Sequence, residues 1–85
     1  MARYDIVLRQ SVLKDLEPIP RKDVKRIIAT IRSLGNDPRP PQAKKLSGQE
    51  RYRIRRGRYR IIYSIEEEQR RVCVVKVGHR RDVYR

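Results

Sequence analysis

The segment Arg51-Tyr52-Arg53-Ile54-Arg55-Arg56-Gly57-Arg58-Tyr59-Arg60-Ile61-Ile62-Tyr63 constrains the fold more than any other part of the chain. Apolar and aromatic residues fall at every second position on either side of Gly57. That period suits a half-buried strand and does not suit a helix. With Arg56-Gly57 as a two-residue hairpin loop, Arg55 faces Arg58, Arg53 faces Arg60, Ile54 faces Tyr59 and Tyr52 faces Ile61. This register sorts the ladder into one apolar face and one face of four arginines, whereas a one-residue slip would mix the two. Arg56 is a poor residue for the positive φ of such a loop, so a longer loop with the same two faces is the alternative.

The rest of the chain supplies the partners of that hairpin. Tyr4, Ile6 and Leu8 alternate with Asp5, Val7 and Arg9 as a strand. Ser11 is placed to cap a short helix through Val12, Leu13 and Leu16, which Pro18 and Pro20 end. From Arg21 the spacing of Val24, Ile27, Ile28, Ile31 and Leu34 predicts an amphipathic helix, with Gly35 and Asn36 suited to its C-terminal cap. Residues 37–41 contain three prolines and read as an irregular connector. The nearly continuous apolar run from Val72 to Val77 reads as a central strand, and Cys73 within it as a small buried hydrophobe. Tyr59 and Tyr63 belong with Ile61 and Ile65 in the core. The expected order is β-α-α-β-β-β, an α+β fold in which a helical hairpin packs on one face of a mostly antiparallel, twisted sheet.

The chain has 85 residues, enough for one domain spanning 1–85 and no second core. Lys and Arg number 23 against 10 Asp and Glu, a formal net charge of +13. Self-repulsion on that scale in a small domain favours a polyanionic partner. No uncharged stretch approaches the roughly 20 residues of a membrane-spanning helix, and the N-terminus carries no apolar signal-peptide core; a cytoplasmic location is expected. One Cys and one His exclude a four-ligand structural zinc site and an internal disulfide.

Like charges facing one another on a sheet are destabilising by roughly 0.2–1 kcal/mol per pair. A merely solvated face would mix signs, but Glu50 is the only acid between Ala43 and Tyr63. Guanidinium groups grip phosphate oxygens in bidentate fashion and stack on bases, so a nucleic-acid backbone is the natural guest. A second cluster, Gly78-His79-Arg80-Arg81-Asp82-Val83-Tyr84-Arg85, follows the most apolar strand. It brings a titratable imidazole and an aromatic ring to a strand end.

These features together resemble the RelE-type toxins of the RelE/ParE superfamily of bacterial and archaeal toxin–antitoxin systems. The landmarks are Ser11-Val12-Leu13-Lys14-Asp15-Leu16, Lys45-Leu46-Ser47-Gly48, Tyr52-Arg53-Ile54-Arg55, Gly57-Arg58-Tyr59-Arg60-Ile61-Ile62-Tyr63 and Val77-Gly78-His79-Arg80-Arg81-Asp82-Val83-Tyr84. The resemblance implies a RelE-like fold and a metal-independent endoribonuclease without cofactor. Such a toxin cleaves mRNA in the ribosomal A site, by attack of a 2′-hydroxyl on the adjacent phosphate, and so inhibits translation. It implies catalytic roles for Arg53, Arg55, Arg60, Arg80 and Tyr84, with Lys44, Lys45, Arg51, Arg58 and Arg81 as RNA contacts. Well-known relatives carry lysines at the two hairpin positions. Arginine does not deprotonate usefully, so Arg53 and Arg55 are cast as phosphate clamps that stabilise the transition state. The 2′-hydroxyl proton then goes to His79, to a ribosomal group or to water. The implied partners are the ribosome with its mRNA and an acidic, RelB-like antitoxin in a hetero-oligomeric complex. A ParE-type toxin that poisons gyrase by binding, or an inactive antitoxin-binding relic, are the alternative readings.

Overall fold

The computed structural model describes residues 3–46, 48 and 50–79. Five strands and two helices follow one another as β1 (Asp5–Leu8), α1 (Gln10–Leu16), α2 (Arg21–Ser33), β2 (Lys44–Lys45), β3 (Tyr52–Arg56), β4 (Tyr59–Glu66) and β5 (Arg71–His79). They form a single sheet in the order β1-β5-β4-β3-β2. β1 runs parallel to β5, and the other three pairings are antiparallel. The α+β architecture is the expected one, with an added strand. Lys44 and Lys45 pair with Arg53 and Tyr52 and extend the sheet beyond the hairpin. Two residues are too few to show a period, so their strand depends on the template that β3 provides.

Both helices lie on one face. Val12 of α1 and Ile27, Ile31 and Leu34 around α2 join Ile54, Ile61, Tyr63, Val72, Val74 and Val77 in one buried cluster. α1 packs against β5, and α2 against β3 and β4. The stripe of α2 is therefore the predicted one, with Val24 and Ile28 at its half-buried margin.

Helix ends differ from expectation. Ser11 lies inside α1, and Arg9 holds the N-cap position without a side-chain bond. The reason is that β1 runs directly into the helix: the Arg9 amide still donates to Val74 O at 3.1 Å, while the Arg9 carbonyl already accepts from Val12. Gly35 follows α2 but has no positive φ. Its role is close approach. A Cβ there would sit 3.0 Å from the Tyr4 carbonyl oxygen and 3.2 Å from that of Arg32, and the Gly35 carbonyl accepts the Tyr4 amide at 2.8 Å.

The proline connector is tied down by aromatic side chains. Buried Tyr63 donates its hydroxyl to Pro38 O at 2.7 Å and stacks on Tyr52 with centroids 5.7 Å apart. Arg39 donates to the Tyr52 hydroxyl and forms a 2.7 Å ion pair with Glu67, which also accepts from Tyr4 at 2.8 Å. The hydrogen bond from Tyr4, then that from Arg39, holds the Glu67 carboxyl below its ordinary pKa, while burial pushes the Tyr63 phenol up.

At β5 the register to β4 shifts between Ile62 and Tyr63: Ile62 faces Lys76 but Tyr63 faces Val74, leaving Val75 as the extra residue of a bulge. Beyond the end of β1, the Val77 amide on the uncovered edge of β5 is taken by the Asp15 carboxylate of α1 at 3.1 Å. Cys73 is half-buried rather than buried. Its register neighbours are Val7 and Ser64, which puts it on the sheet face opposite the helices.

Candidate nucleic-acid interface

The hairpin closes two residues away from the expected register. Arg55 pairs with Arg60, Ile54 with Ile61, Arg53 with Ile62 and Arg56 with Tyr59. The loop is Gly57-Arg58, with Gly57 at φ 60°. A glycine in the first loop position is what a type II′ turn requires, and Arg56 escapes the positive φ that would strain it. Because the shift is even, it leaves the faces intact. Arg53, Arg55 and Arg60 stand together on the face opposite the helices, as expected. Arg58 does not join them, since it lies in the turn.

Two rows of residues cross this face. One runs Lys44–Arg53–Ile62–Lys76, the other Arg55–Arg60–Gly78. Direct cross-strand neighbours have Cβ atoms about 5 Å apart, and the diagonal pair Arg53 and Arg60 about 7–8 Å. Three guanidinium groups can therefore converge on one phosphate. Arg53 and Arg60 are half-buried and Arg55 is exposed; the Arg60 Nε is withdrawn from solvent. Partial burial fixes a long side chain and lowers the local dielectric, conditions in which a donor aimed at developing negative charge is most effective. Gly78 places no side chain beside Arg60 on the third strand. Lys76, by contrast, turns its ammonium 3.8 Å from Asp15 at the sheet edge. Neither Gly78 nor Lys76 was singled out by spacing, because the bulge at Val75 resets which β5 residues share the arginine face.

Among the described residues, the unneutralised positive charge lies at one end of the face. Toward the β4–β5 turn the next rows are Val7–Cys73–Ser64 and Asp5–Arg71–Glu66, and Arg71 is neutralised by Glu66 at 3.2 Å. Lys44 belongs to the cationic end. Lys45 faces Tyr52 on the helix side and pairs with Glu50 at 3.6 Å. Arg51 precedes β3, its carbonyl accepting from Leu46.

His79 stands apart from the three arginines. It faces Tyr59 across the ladder, on the helix side of the sheet, and meets that ring edge-on with centroids 6.2 Å apart. The imidazole and the guanidinium cluster thus occupy opposite faces. The remaining candidates Arg80, Arg81 and Tyr84 lie outside the described residues. Among the described residues, no three His, Cys, Asp or Glu side chains are grouped so as to hold a metal.

Residues 6–84 match the family described as ParE toxin of type II toxin–antitoxin system, parDE. Toxin RelG of Mycobacterium tuberculosis is 28% identical over 86 residues, covering 96% of this chain and 97% of that protein. The structure superimposes with TM-score 0.83 and 27% identity on a chain of the archaeal RelE–RelB complex from Pyrococcus horikoshii, covering 98% of this chain and 100% of that one. For the RelB–RelE antitoxin–toxin complex from Methanococcus jannaschii the values are 0.73 and 28%, with 92% and 94% covered. With its fold, its hairpin and nearly its whole length accounted for in this way, the chain belongs to the ParE toxin family of type II toxin–antitoxin systems, as a RelE-type toxin of the RelE/ParE superfamily.

Proposed function

We propose that this toxin is an endoribonuclease that cuts mRNA in the ribosomal A site and thereby blocks translation: the 2′-hydroxyl oxygen bonds to the adjacent phosphorus as the P–O5′ bond breaks, and the departing 5′-oxygen takes up a proton from a ribosomal group or water. The observation that carries the reading is the convergence of Arg53, Arg55 and Arg60 on one end of an otherwise neutralised sheet face. Arginines at these positions are permanent cations. They clamp the scissile phosphate and stabilise the charge that develops on its oxygens. None of them abstracts the 2′-hydroxyl proton, and His79 faces away from them, so the proton passes to a ribosomal group or to water. Where a ribosomal group takes that proton, cleavage depends on the ribosome. The family resemblance gives Arg80 the role of a further phosphate contact and Tyr84 that of a partner for an adjacent base; no metal or cofactor takes part, so a chelator leaves the rate unchanged. In the cell, an acidic RelB-like antitoxin, of the kind bound to the two archaeal relatives, covers the basic surface and folds upon it.

The match to ParE toxins favours a second reading, inhibition of DNA gyrase by binding alone. Pulse labelling after induction separates the two. Early loss of methionine incorporation, with mRNA ends mapping to codons in the A site, supports the ribonuclease. Early loss of thymidine incorporation with translation intact overturns it in favour of gyrase.

A further inference from the structure

A second cationic site lies on the other side of the hairpin. A cleft of about 590 Å³ opens between the first turns of α2 and the β3–β4 loop, lined by Lys22, Asp23, Arg26, Arg56, Arg58 and Tyr59 among others. Lys22 and Arg26 are four residues apart and share one face of α2. Arg56 and Arg58 flank Gly57 across from them. None of the four cations forms an ion pair with a described residue. The one acid in the cleft, Asp23, sits in the first turn of α2, where it favours the helix dipole. Four cations converging around a single acid, with no ion pair among them, cost stability through mutual repulsion, which bound anions would relieve.

We propose that this cleft is a second RNA-backbone site, gripping RNA phosphates while the opposite face of the same hairpin holds the scissile phosphate. The inference rests on the RNA-directed reading above. Chemistry favours RNA over an acidic protein segment here. A peptide that folds on binding needs an apolar groove for its anchors, and this cleft offers only the ring of Tyr59 and Pro20 beside its charges. Among the described residues, the large exposed aliphatic side chains, Val7 and Leu13, belong to β1 and α1 instead. Tyr59, which lines the cleft, is braced edge-on by His79 and offers an aromatic surface beside the two pairs of cations. With phosphates held on both faces, the β3–β4 hairpin is fixed as a wedge, and the register of Arg55 and Arg60 against the messenger is set by contacts away from it.

The test measures binding apart from cleavage, in an Arg60→Ala background so that messenger is not consumed. Affinity for purified ribosomes is followed across a salt series for the unmodified cleft and for Lys22→Gln/Arg26→Gln. Losing two phosphate contacts should lower the slope of log K against log salt by about 1.4–1.8 and weaken binding on the order of ten- to a hundred-fold near 0.1 M salt. Asp23→Asn should tighten binding. A loss equal on vacant and mRNA-programmed ribosomes assigns the phosphates to ribosomal RNA; a loss seen only with messenger bound assigns them to mRNA. Either supports the cleft.

Unchanged affinity and slope in the double variant would overturn the proposal. So would an equal loss in Lys14→Gln/Lys25→Gln, which removes the same charge outside the cleft, or a loss of affinity for the acidic antitoxin alone. If the unmodified protein fails to bind ribosomes, the ribonuclease reading falls together with this one. If it binds through the cleft and yet leaves messenger uncut in the Arg60-intact form, only the ribonuclease reading falls.

Discussion

Arg55 and Arg60 stand directly opposite one another in the β3–β4 ladder, on the sheet face away from both helices. Two cations at neighbouring positions on a ladder oppose sheet formation; the same closeness lets two guanidinium groups approach one phosphate. Arg53 completes the group from the diagonal position, and Gly78 leaves the third strand bare beside Arg60.

Arg60→Ala should lower single-turnover cleavage of ribosome-bound mRNA by on the order of 100- to 1,000-fold, the usual effect of losing one preorganised donor to a developing oxyanion. Arg70→Ala, in the β4–β5 turn at the neutralised end of the sheet, should leave the rate unchanged. Equal sensitivity at the two positions would mean that the protein acts as a diffuse cation, and the site assignment would be wrong.

Gly57→Ala should destabilise the fold by about 1–2 kcal/mol, because φ near 60° crowds the Cβ of an L-residue against the following carbonyl. Space is not the obstacle, as nothing lies within 4 Å of the position a Cβ would take. Urea unfolding should show a lower midpoint at unchanged slope. Arg58→Ala, the neighbouring loop residue, should leave the midpoint nearly where it was.

Asp15→Ala should leave the Val77 amide without its acceptor, a loss of about 1–3 kcal/mol for a buried donor. Asp15→Asn retains an oxygen at that place and should recover most of the stability. Hydrogen exchange at Val77 is the direct readout: faster in the alanine variant, protected in the asparagine variant.

Glu67 joins Tyr4 and Arg39, and its folded-state pKa lies below the ordinary value of 4.5. A depressed carboxylate pKa contributes stability that is present above the unfolded value and is lost as pH falls through the folded one. Thermal unfolding followed from pH 7 downward should therefore show a decline beginning below about 4.5. Glu67→Gln should be less stable near neutrality and should flatten that part of the profile. Parallel profiles would show that ionisation of Glu67 contributes nothing to the pH dependence of stability.

The alternation from Arg51 to Tyr63 and the stripe from Val24 to Leu34 were legible without a structure, because each states its own period and its own buried face. Face membership of Arg53, Arg55 and Arg60 could be read the same way, since any even shift of register preserves it. The register itself could not. Arg56-Gly57 and Gly57-Arg58 are both two-residue loops, and the choice turned on which residue takes positive φ. Sequence spacing is likewise silent about the bulge at Val75, which decides that Gly78 lies beside Arg60 and that His79 faces Tyr59 on the other side. It is also silent about the strand at Lys44–Lys45, too short to carry a pattern.

Composition favours a polyanionic partner; only tertiary structure separated the cations into two groups. Lys22 and Arg26 are remote in sequence from Arg56 and Arg58, and they meet because α2 must lay its apolar stripe across β3 and β4, which brings its first turn to the hairpin loop. Local periodicity determines which face of an element is buried. Which elements then bring their polar ends together depends on long-range packing, and no local pattern encodes that.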